Sequence, residues 1–186
     1  MDNSISIQDV REAVNNAQYT SCYCEENVYK LAQVLSSQTT LRVGFISNEN
    51  RSVLLFEQEA SQYDAPHPVL WDYHVILLLS LAGREYVVDL DTKLDKVIEK
   101  NVYLQHTFSS KTPSAYRASI SVTPAHIFLN TFASDRRHMK SASGVFSSPP
   151  PSWSCIKGTD ASSTHNLDDW IDGAIDGSEM IQPVYV

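Results

Sequence analysis

The sequence predicts an α+β fold, because segments typical of helices and segments typical of β-hairpins both occur along the chain. Two pairs of strand-like segments, each joined by turn-forming residues, indicate antiparallel pairing. Other segments carry apolar residues at helical spacing. With 186 residues, of which 42% are apolar and 19% charged, the chain can bury a substantial core. We therefore expect residues 1–186 to form one compact domain.

The first helical signals lie at the start of the chain. Residues 1–18 combine a Ser6 and Asp9 pair that resembles a capping box with apolar residues at helical spacing, so they form either a short helix or a peripheral arm. A clearer helix follows Ser21, a residue able to cap a helix N-terminus, and Cys24 opens it. The apolar face of this helix consists of Val28, Leu31, Ala32 and Leu35.

The strand signals are grouped in the middle of the chain. Residues 41–47 and 53–57 flank an Asn-rich turn and predict a first hairpin. The long apolar run of residues 69–81 and the segment 85–90, with Gly83 between them, predict a second hairpin. Both hairpins are expected to contribute antiparallel strands.

The second half of the chain mixes regular elements with a long irregular segment. Residues 118–122 predict a strand, and Thr123 followed by Pro124 predicts an N-cap and first helical position for a helix that ends near residue 133. Residues 134–155, which contain three consecutive prolines, predict a long surface loop. Residues 166–172 predict a short final helix that ends at a glycine.

Composition excludes several classes of function. The formal charge of −8 argues against nucleic acid as a partner. The longest apolar segment, residues 75–82, is far shorter than the roughly 20 residues that span a bilayer, so no membrane association is expected. Scattered single glycines allow neither a phosphate-binding loop nor a dinucleotide fingerprint, so no nucleotide cofactor is expected.

Cysteine content and the first residues of the chain predict the cellular location of the protein. The odd count of three cysteines argues against a disulfide framework. The first residues lack the basic region and the apolar stretch of a secretory signal. We therefore expect free thiols and a cytoplasmic location, which leaves the nucleus open, and we expect a monomer.

Three residue types that a thiol hydrolase needs occur in suggestive positions. Cys24 opens a predicted helix, whose N-terminus can stabilise a thiolate. A four-residue loop in the second hairpin would pair His74 directly with Asp89 on one face of the sheet, with Asp91 as the alternative partner. An aspartate there would hold the imidazole in the tautomer that accepts the thiol proton. Cys22 lies about 200° around an ideal helix from Cys24, so only one of the two sulfurs can face the site.

Each of these residues also has a structural interpretation. A cysteine is often a small buried hydrophobe, and for Cys155 we adopt that interpretation. His74 could be a core residue, and the two aspartates could simply end a strand. A zinc site built from Cys22, Cys24 and histidines lacks the Cys-x2-4-Cys spacing usual for structural zinc, so no metal is expected.

Several segments resemble one family closely. The string Cys-Tyr-Cys-Glu-Glu-Asn at residues 22–27 resembles the nucleophile segment of the protein N-terminal glutamine amidohydrolase family, and Trp-Asp-Tyr-His at residues 71–74 also occurs in that family. Other segments that resemble the family, in the same order, are residues 45–49, 89–92, 132–140, 149–151 and 166–167. The resemblance extends from about residue 19 to residue 172.

The resemblance implies a fold and an activity. The fold would be related to papain-like and transglutaminase-like enzymes, with an antiparallel sheet flanked by helices. Cys24, His74 and Asp89 match the positions of the family's catalytic triad. Members convert a glutamine at the free N-terminus of a protein or peptide to glutamate and release ammonia, without a cofactor, which feeds the arginylation branch of N-degron protein turnover.

A thioester mechanism is expected on this basis. The Cys24 thiolate would attack the carboxamide while His74 stays protonated, and the backbone N–H of Cys24 would be one donor to the oxyanion. Selectivity for a chain terminus needs a partner for the ammonium, for which Asp72, Asp135 and Glu25 are candidates. A cysteine peptidase or acyltransferase with the same triad, or a non-catalytic protein-binding domain, remains the alternative.

Overall fold

The computed structural model, which describes residues 5–36, 40–63 and 67–185, is an antiparallel sheet flanked by helices, in the predicted α+β class. The strands are β1 (Leu41–Ser47), β2 (Val53–Leu55), β3 (Val69–Trp71), β4 (His74–Leu81), β5 (Arg84–Val88), β6 (Val97–Glu99), β7 (Ser119–Pro124), β8 (Ala133–Ser134), β9 (Ile156–Lys157) and β10 (Glu179–Ile181). The helices are α1 (Ile7–Asn15), α2 (Cys24–Leu35), α3 (Lys100–Thr107), α4 (Ala125–Thr131) and α5 (Leu167–Ile171), and short 3-10 turns occupy Ser114–Tyr116 and Arg137–Met139.

Six strands form the main sheet in the order β10-β7-β1-β4-β5-β6, and each neighbouring pair is antiparallel. β4 is buried over its first six residues, because apolar clusters cover both faces of the sheet. The α2 face predicted from the sequence packs on one of these faces, and its four residues are each at most 2% exposed. No helix in the described ranges is long and apolar enough to cross a bilayer.

The first two helices follow local signals, with one correction. The Ser6 and Asp9 capping box is present at α1, and Val10 is fully buried, so this segment packs on the core. The predicted cap of α2 is wrong, because the helix begins three residues after Ser21. Its N-cap is Tyr23, whose backbone carbonyl rather than its side chain accepts the first hydrogen bonds.

The first predicted hairpin is wrong, and the second is confirmed only for residues 74–81 and 84–88. The predicted strand 69–81 is divided into β3 and β4, which belong to different sheets. β2 pairs with β3 rather than with β1, because β4 and β7 already occupy both edges of β1. β4 and β5 form the second hairpin through a two-residue turn, Ala82 and Gly83, with φ values of 48° and 77°. Positive φ at both positions is the geometry of the tight turns that favour right-handed strand twist.

The C-terminal elements agree with the sequence in outline. Thr123 belongs to β7 and is 2% exposed, and Pro124 ends that strand, so the helix starts one residue later than predicted. α5 is confirmed, and the chain leaves it through Gly173 at φ 67°. β6, α3 and β10 were not predicted, since β6 and β10 are only three residues long and α3 buries only two side chains.

Candidate active site

The candidate site lies where the start of α2 meets one end of the β4–β5 hairpin. Cys24 is the first residue of α2, His74 is the first residue of β4, and Asp89 follows the last residue of β5. The start of one strand and the end of its antiparallel partner meet at the same end of a hairpin. Cys24 packs in the same buried cluster as Tyr73 and Val75, the residues on either side of His74, so the start of α2 lies against the start of β4.

His74 and Asp89 form a fully buried hydrogen-bonded pair. The distance from His74 Nε2 to Asp89 Oδ1 is 2.9 Å, and both side chains are 0% exposed. Asp89 Oδ1 also accepts the backbone N–H of Asp91 at 2.9 Å, while Oδ2 accepts the hydroxyl of Tyr103 at 2.8 Å and Gln58 Nε2 at 3.4 Å. The carboxylate is therefore held by donors from four parts of the chain.

The contact between His74 and Asp89 was predicted, but the register that produces it was not. Val88 pairs with Leu77, so the register differs by two residues from the one that would place Asp89 directly opposite His74. A shift of two residues keeps side chains on the same face, whereas a shift of one would have reversed Asp89. The pair is therefore a diagonal contact on one face of the sheet.

The charges of the pair stabilise each other. Burial disfavours the imidazolium, but the Asp89 charge and its hydrogen bond outweigh burial and hold the pKa of His74 above 6.5. Burial likewise disfavours the carboxylate, and His74 with the other donors holds the pKa of Asp89 below 3.8. Nδ1 of His74 is buried and has no hydrogen-bond partner among the described residues. It is the nitrogen left for proton exchange.

Cys24 does not have the electrostatic environment that its helix position predicts. Burial raises the pKa of its thiol well above 9, and the charges of Glu25 and Asp91 add to this effect. The helix N-terminus is therefore insufficient to stabilise a thiolate here. Burial and these charges favour the neutral thiol over the thiolate.

A cavity of about 200 Å³ opens beside Cys24. Its walls are formed by Cys22, Cys24, Arg51, Trp71, Asp72, Tyr73, Asp91, His138, Met139, Leu167, Asp168 and Ile171. Both Cys22 and Cys24 line the cavity, contrary to the prediction that only one of them faces the site. Cys22 precedes α2 and has a φ of 69°, so helical spacing does not apply to it. The buried position adopted for Cys155 is also wrong, since this residue is exposed.

Part of the predicted surface loop at residues 134–155 forms a wall of the cavity. Arg136 is 6% exposed and donates to the two carboxylate oxygens of Glu26 at 2.7 and 2.8 Å. Trp153 Nε1 donates to the same carboxylate at 2.7 Å. These contacts attach the segment to α2 and place His138 and Met139 in the wall of the cavity.

The three carboxylates considered for ammonium binding have different surroundings. Asp72 lines the cavity but is exposed. Asp135 is not a wall residue and accepts Arg137 Nε at 2.9 and 3.0 Å. Glu25 is fully buried and accepts the Tyr73 hydroxyl at 3.0 Å.

Other cavity residues were missed as functional candidates. Arg51 lies 2.5 Å from Asp168 and 2.8 Å from Asp172, a contact between remote segments with no local sequence signal. Asp91 was considered only as a partner of His74. Asp91 lies in a turn after the end of β5, so the alternation of side chains along a strand gives no signal for its position.

The same site offers a possible set of metal ligands. Ligand atoms of His74, Asp89 and Asp91 lie within 4.8 Å of one another. However, His74 and Asp89 direct their facing atoms at each other, and the remaining oxygen of Asp89 accepts two further donors. The arrangement fits a hydrogen-bonded acid–imidazole pair better than a metal site.

Comparison with known proteins identifies one family. The family model described as N-terminal glutamine amidase matches residues 19–182. A relative from Danio rerio, named protein N-terminal glutamine amidohydrolase, is 41% identical over 165 residues, which cover 84% of this chain and 80% of the relative. Relatives of the same name from Homo sapiens and Drosophila melanogaster are each 38% identical, and the matches cover 82% and 85% of this chain and 77% and 80% of the relatives.

Proposed function

Because the chain belongs to the N-terminal glutamine amidase family, we propose that it hydrolyses the side-chain carboxamide of glutamine at the free N-terminus of proteins or peptides. The products are an N-terminal glutamate and ammonia. The observation that carries this proposal is the family match over residues 19–182, which spans Cys24, the buried pair of His74 and Asp89, and the cavity beside them.

In the proposed mechanism Cys24 is the nucleophile and His74 is the general base. Since burial and the charges of Glu25 and Asp91 raise the pKa of the thiol, the reaction begins with transfer of the thiol proton to Nδ1 of His74. The sulfur then attacks the side-chain carbonyl carbon of the glutamine. Asp89 holds the imidazole through Nε2 and stabilises the imidazolium that forms.

The tetrahedral intermediate then collapses to a thioester. The carbon–nitrogen bond breaks, and ammonia leaves with the proton from His74. Water, deprotonated by His74, attacks the thioester, the carbon–sulfur bond breaks, and the Cys24 sulfur regains a proton. The net reaction consumes one water and needs no oxidant, reductant or cofactor.

The backbone N–H of Cys24 is the proposed donor to the oxyanion. As the first residue of α2, Cys24 has a backbone N–H without an intrahelical partner. A donor of this kind, preorganised beside the nucleophile, stabilises the charge that develops on the carbonyl oxygen.

The test measures ammonia released from short peptides that differ only in their first residues. A peptide that begins with Gln should release ammonia, while peptides that begin with Asn or carry Gln second should not. Cys24→Ala should abolish release without loss of folding. Cys22→Ser, a change in the same cavity, is the matched control and should retain activity. Cleavage of the peptide backbone in place of ammonia release would favour a cysteine peptidase instead.

We also infer the setting in which this reaction occurs. The exposed unpaired Cys22 and Cys155 suit a reducing compartment such as the cytoplasm or nucleus. The net charge of −8 disfavours nucleic acid. The exposed large apolar residues come from different elements, which supports a monomeric, single catalytic domain. Proteins with a free N-terminal Gln are the proposed partners, and their entry into N-degron turnover is the proposed role.

A further inference from the structure

The cavity beside Cys24 contains a buried carboxylate that the proposed mechanism does not use. Asp91 is 8% exposed and lines this cavity. Its Oδ1 accepts the hydroxyl of Tyr19 at 2.5 Å. Its Oδ2 accepts no hydrogen bond from any residue that the structure describes. Buried carboxylates are normally paired or hydrogen-bonded through both oxygens, so this oxygen is available for a cation that enters the cavity.

The other carboxylates of the cavity are less suited to this role. Asp168 is 71% exposed in its side chain and lies 2.5 Å from Arg51, so its charge is already paired and screened by water. Asp72 is exposed, and its Oδ1 accepts the backbone N–H of Tyr73 at 2.9 Å.

Burial raises the pKa of Asp91, and the positive charges of His74 and Lys96 oppose this effect. Neither His74 nor Lys96 makes an ion pair with Asp91 within 4.0 Å, since Nε2 of His74 faces Asp89 and Lys96 is exposed. Glu25 is fully buried and its Oε1 has no hydrogen-bond partner among the described residues, but Glu25 does not line the cavity. Of the carboxylates that line it, Asp91 alone combines burial with an oxygen that accepts no hydrogen bond.

The geometry of the substrate favours a carboxylate in this cavity. In a glutamine at a chain terminus, four single bonds of about 1.5 Å each separate the ammonium nitrogen from the side-chain carbonyl carbon, so the two atoms are at most about 5 Å apart. A glutamine whose carboxamide reaches Cys24 therefore carries its ammonium into the same cavity. The group that recognises the ammonium must line the cavity too.

We propose that Asp91 binds the α-ammonium of the substrate and thereby restricts the reaction to glutamine at a chain terminus. This inference rests on the proposed function. Tyr19 orients the carboxylate by occupying Oδ1, which leaves Oδ2 for the ammonium. The same contact would assist the chemistry. Burial and Glu25 raise the pKa of the Cys24 thiol and Asp91 adds to them, so a bound ammonium would offset one of these contributions.

The test uses Cys24→Ala protein, so that binding is measured without turnover. Calorimetry compares a peptide that begins with Gln and the same peptide in which hydrogen replaces the α-amino group. The free-amine peptide should bind at least about 30-fold more tightly, as for a desolvated charge pair. Adding Asp91→Asn should remove this preference and leave the affinity for the desamino peptide unchanged. Adding Asp72→Asn, the matched control, should leave the preference intact.

Several outcomes would overturn the inference. Equal weakening of both peptides by Asp91→Asn would mean that Asp91 supports the site structurally, and loss of the preference in Asp72→Asn would assign the ammonium to that residue. Should Asp91→Asn fail to fold, Tyr19→Phe replaces it, because Tyr19 is 47% exposed. This variant should weaken the preference about 5-fold, as for loss of one hydrogen bond, and an unchanged preference would contradict the proposal.

Ammonia release by otherwise unaltered protein separates this inference from the proposed function. No ammonia from the Gln peptide, together with an ammonium preference that depends on Asp91, would refute the reaction and keep the binding site. Normal release from the free-amine peptide by both the parent protein and Asp91→Asn would refute the binding site and keep the reaction.

Discussion

Asp89→Asn removes one charge from the buried pair and almost nothing else. The carboxylate oxygens of Asp89 accept different donors, so the amide has one favourable orientation. Its oxygen must replace Oδ1, because the backbone N–H of Asp91 donates there and cannot rotate. Its NH2 then faces the Tyr103 hydroxyl, which can accept, and Gln58, whose Oε1 is buried without a partner and can turn to accept as well. His74 therefore keeps its tautomer.

The expected loss of activity is then electrostatic. The pair is in direct contact at 2.9 Å between His74 Nε2 and Asp89 Oδ1, so the two charge centres are about 4 Å apart. At that separation the Coulomb energy between two opposite unit charges is about 4 kcal/mol, for an effective dielectric constant of about 20. If this stabilises the imidazolium formed in the reaction, kcat should fall about 1000-fold. The pKa of His74 should fall, because the charge of Asp91 alone would then oppose the effect of burial.

The stability of the protein should change in a defined pH window. The pKa of Asp89 is lowered from 3.8, so its contribution is lost as pH falls through the folded value. The pKa of His74 is raised from 6.5, so its contribution is complete below 6.5 and is lost as pH rises through the folded value. Asp89→Asn should therefore destabilise most between about pH 4 and 6.5.

The assay combines ammonia release, NMR titration of the His74 ring and denaturant unfolding across pH. Tyr103→Phe is the matched control, since it removes the 2.8 Å hydrogen bond to Asp89 but keeps the charge, and it should lower kcat by about 10-fold at most. Asp89→Asn protein that folds and retains kcat within about 30-fold of the parent, with an unshifted His74 pKa, would refute this reasoning.

The buried contacts also determine the pH dependence of the reaction, the stability of the protein and the reactivity of its thiols. The acid limb of kcat/KM should have its midpoint above pH 6.5, because protonated His74 cannot accept the thiol proton and its pKa is raised; a midpoint below pH 6 would contradict this. Arg136→Met leaves the fully buried Glu26 carboxylate without its cation and should cost about 3–5 kcal/mol of unfolding free energy, whereas Arg137→Met at an exposed pair should cost less than about 1 kcal/mol in denaturant titrations. Iodoacetamide should modify the two exposed cysteines before Cys24, which is buried and has a raised pKa. Equal alkylation rates of the three cysteines, measured by mass spectrometry, would show that the Cys24 thiol is neither shielded by burial nor raised in pKa.

Local patterns in the sequence were sufficient for the elements that carry the candidate site. The apolar spacing of α2, with Cys24 at its start, and the turn between β4 and β5 each depend on residues close together in the chain. Backbone preference and one-sided burial act over such short distances. The family strings at residues 22–27 and 71–74 then connected these elements to one activity, which the family match supports.

Contacts between remote segments were decided only by the tertiary structure. β2 pairs with β3 because both edges of β1 are taken, and competition for an edge has no local signature. Three other features have the same origin. They are the register of β4 and β5 that makes the contact between His74 and Asp89 diagonal, the buried pair of Arg136 and Glu26, and the Asp91 oxygen that accepts no hydrogen bond. Each depends on which groups remain unpaired once the sheet and helices have packed, and this is a property of the whole chain.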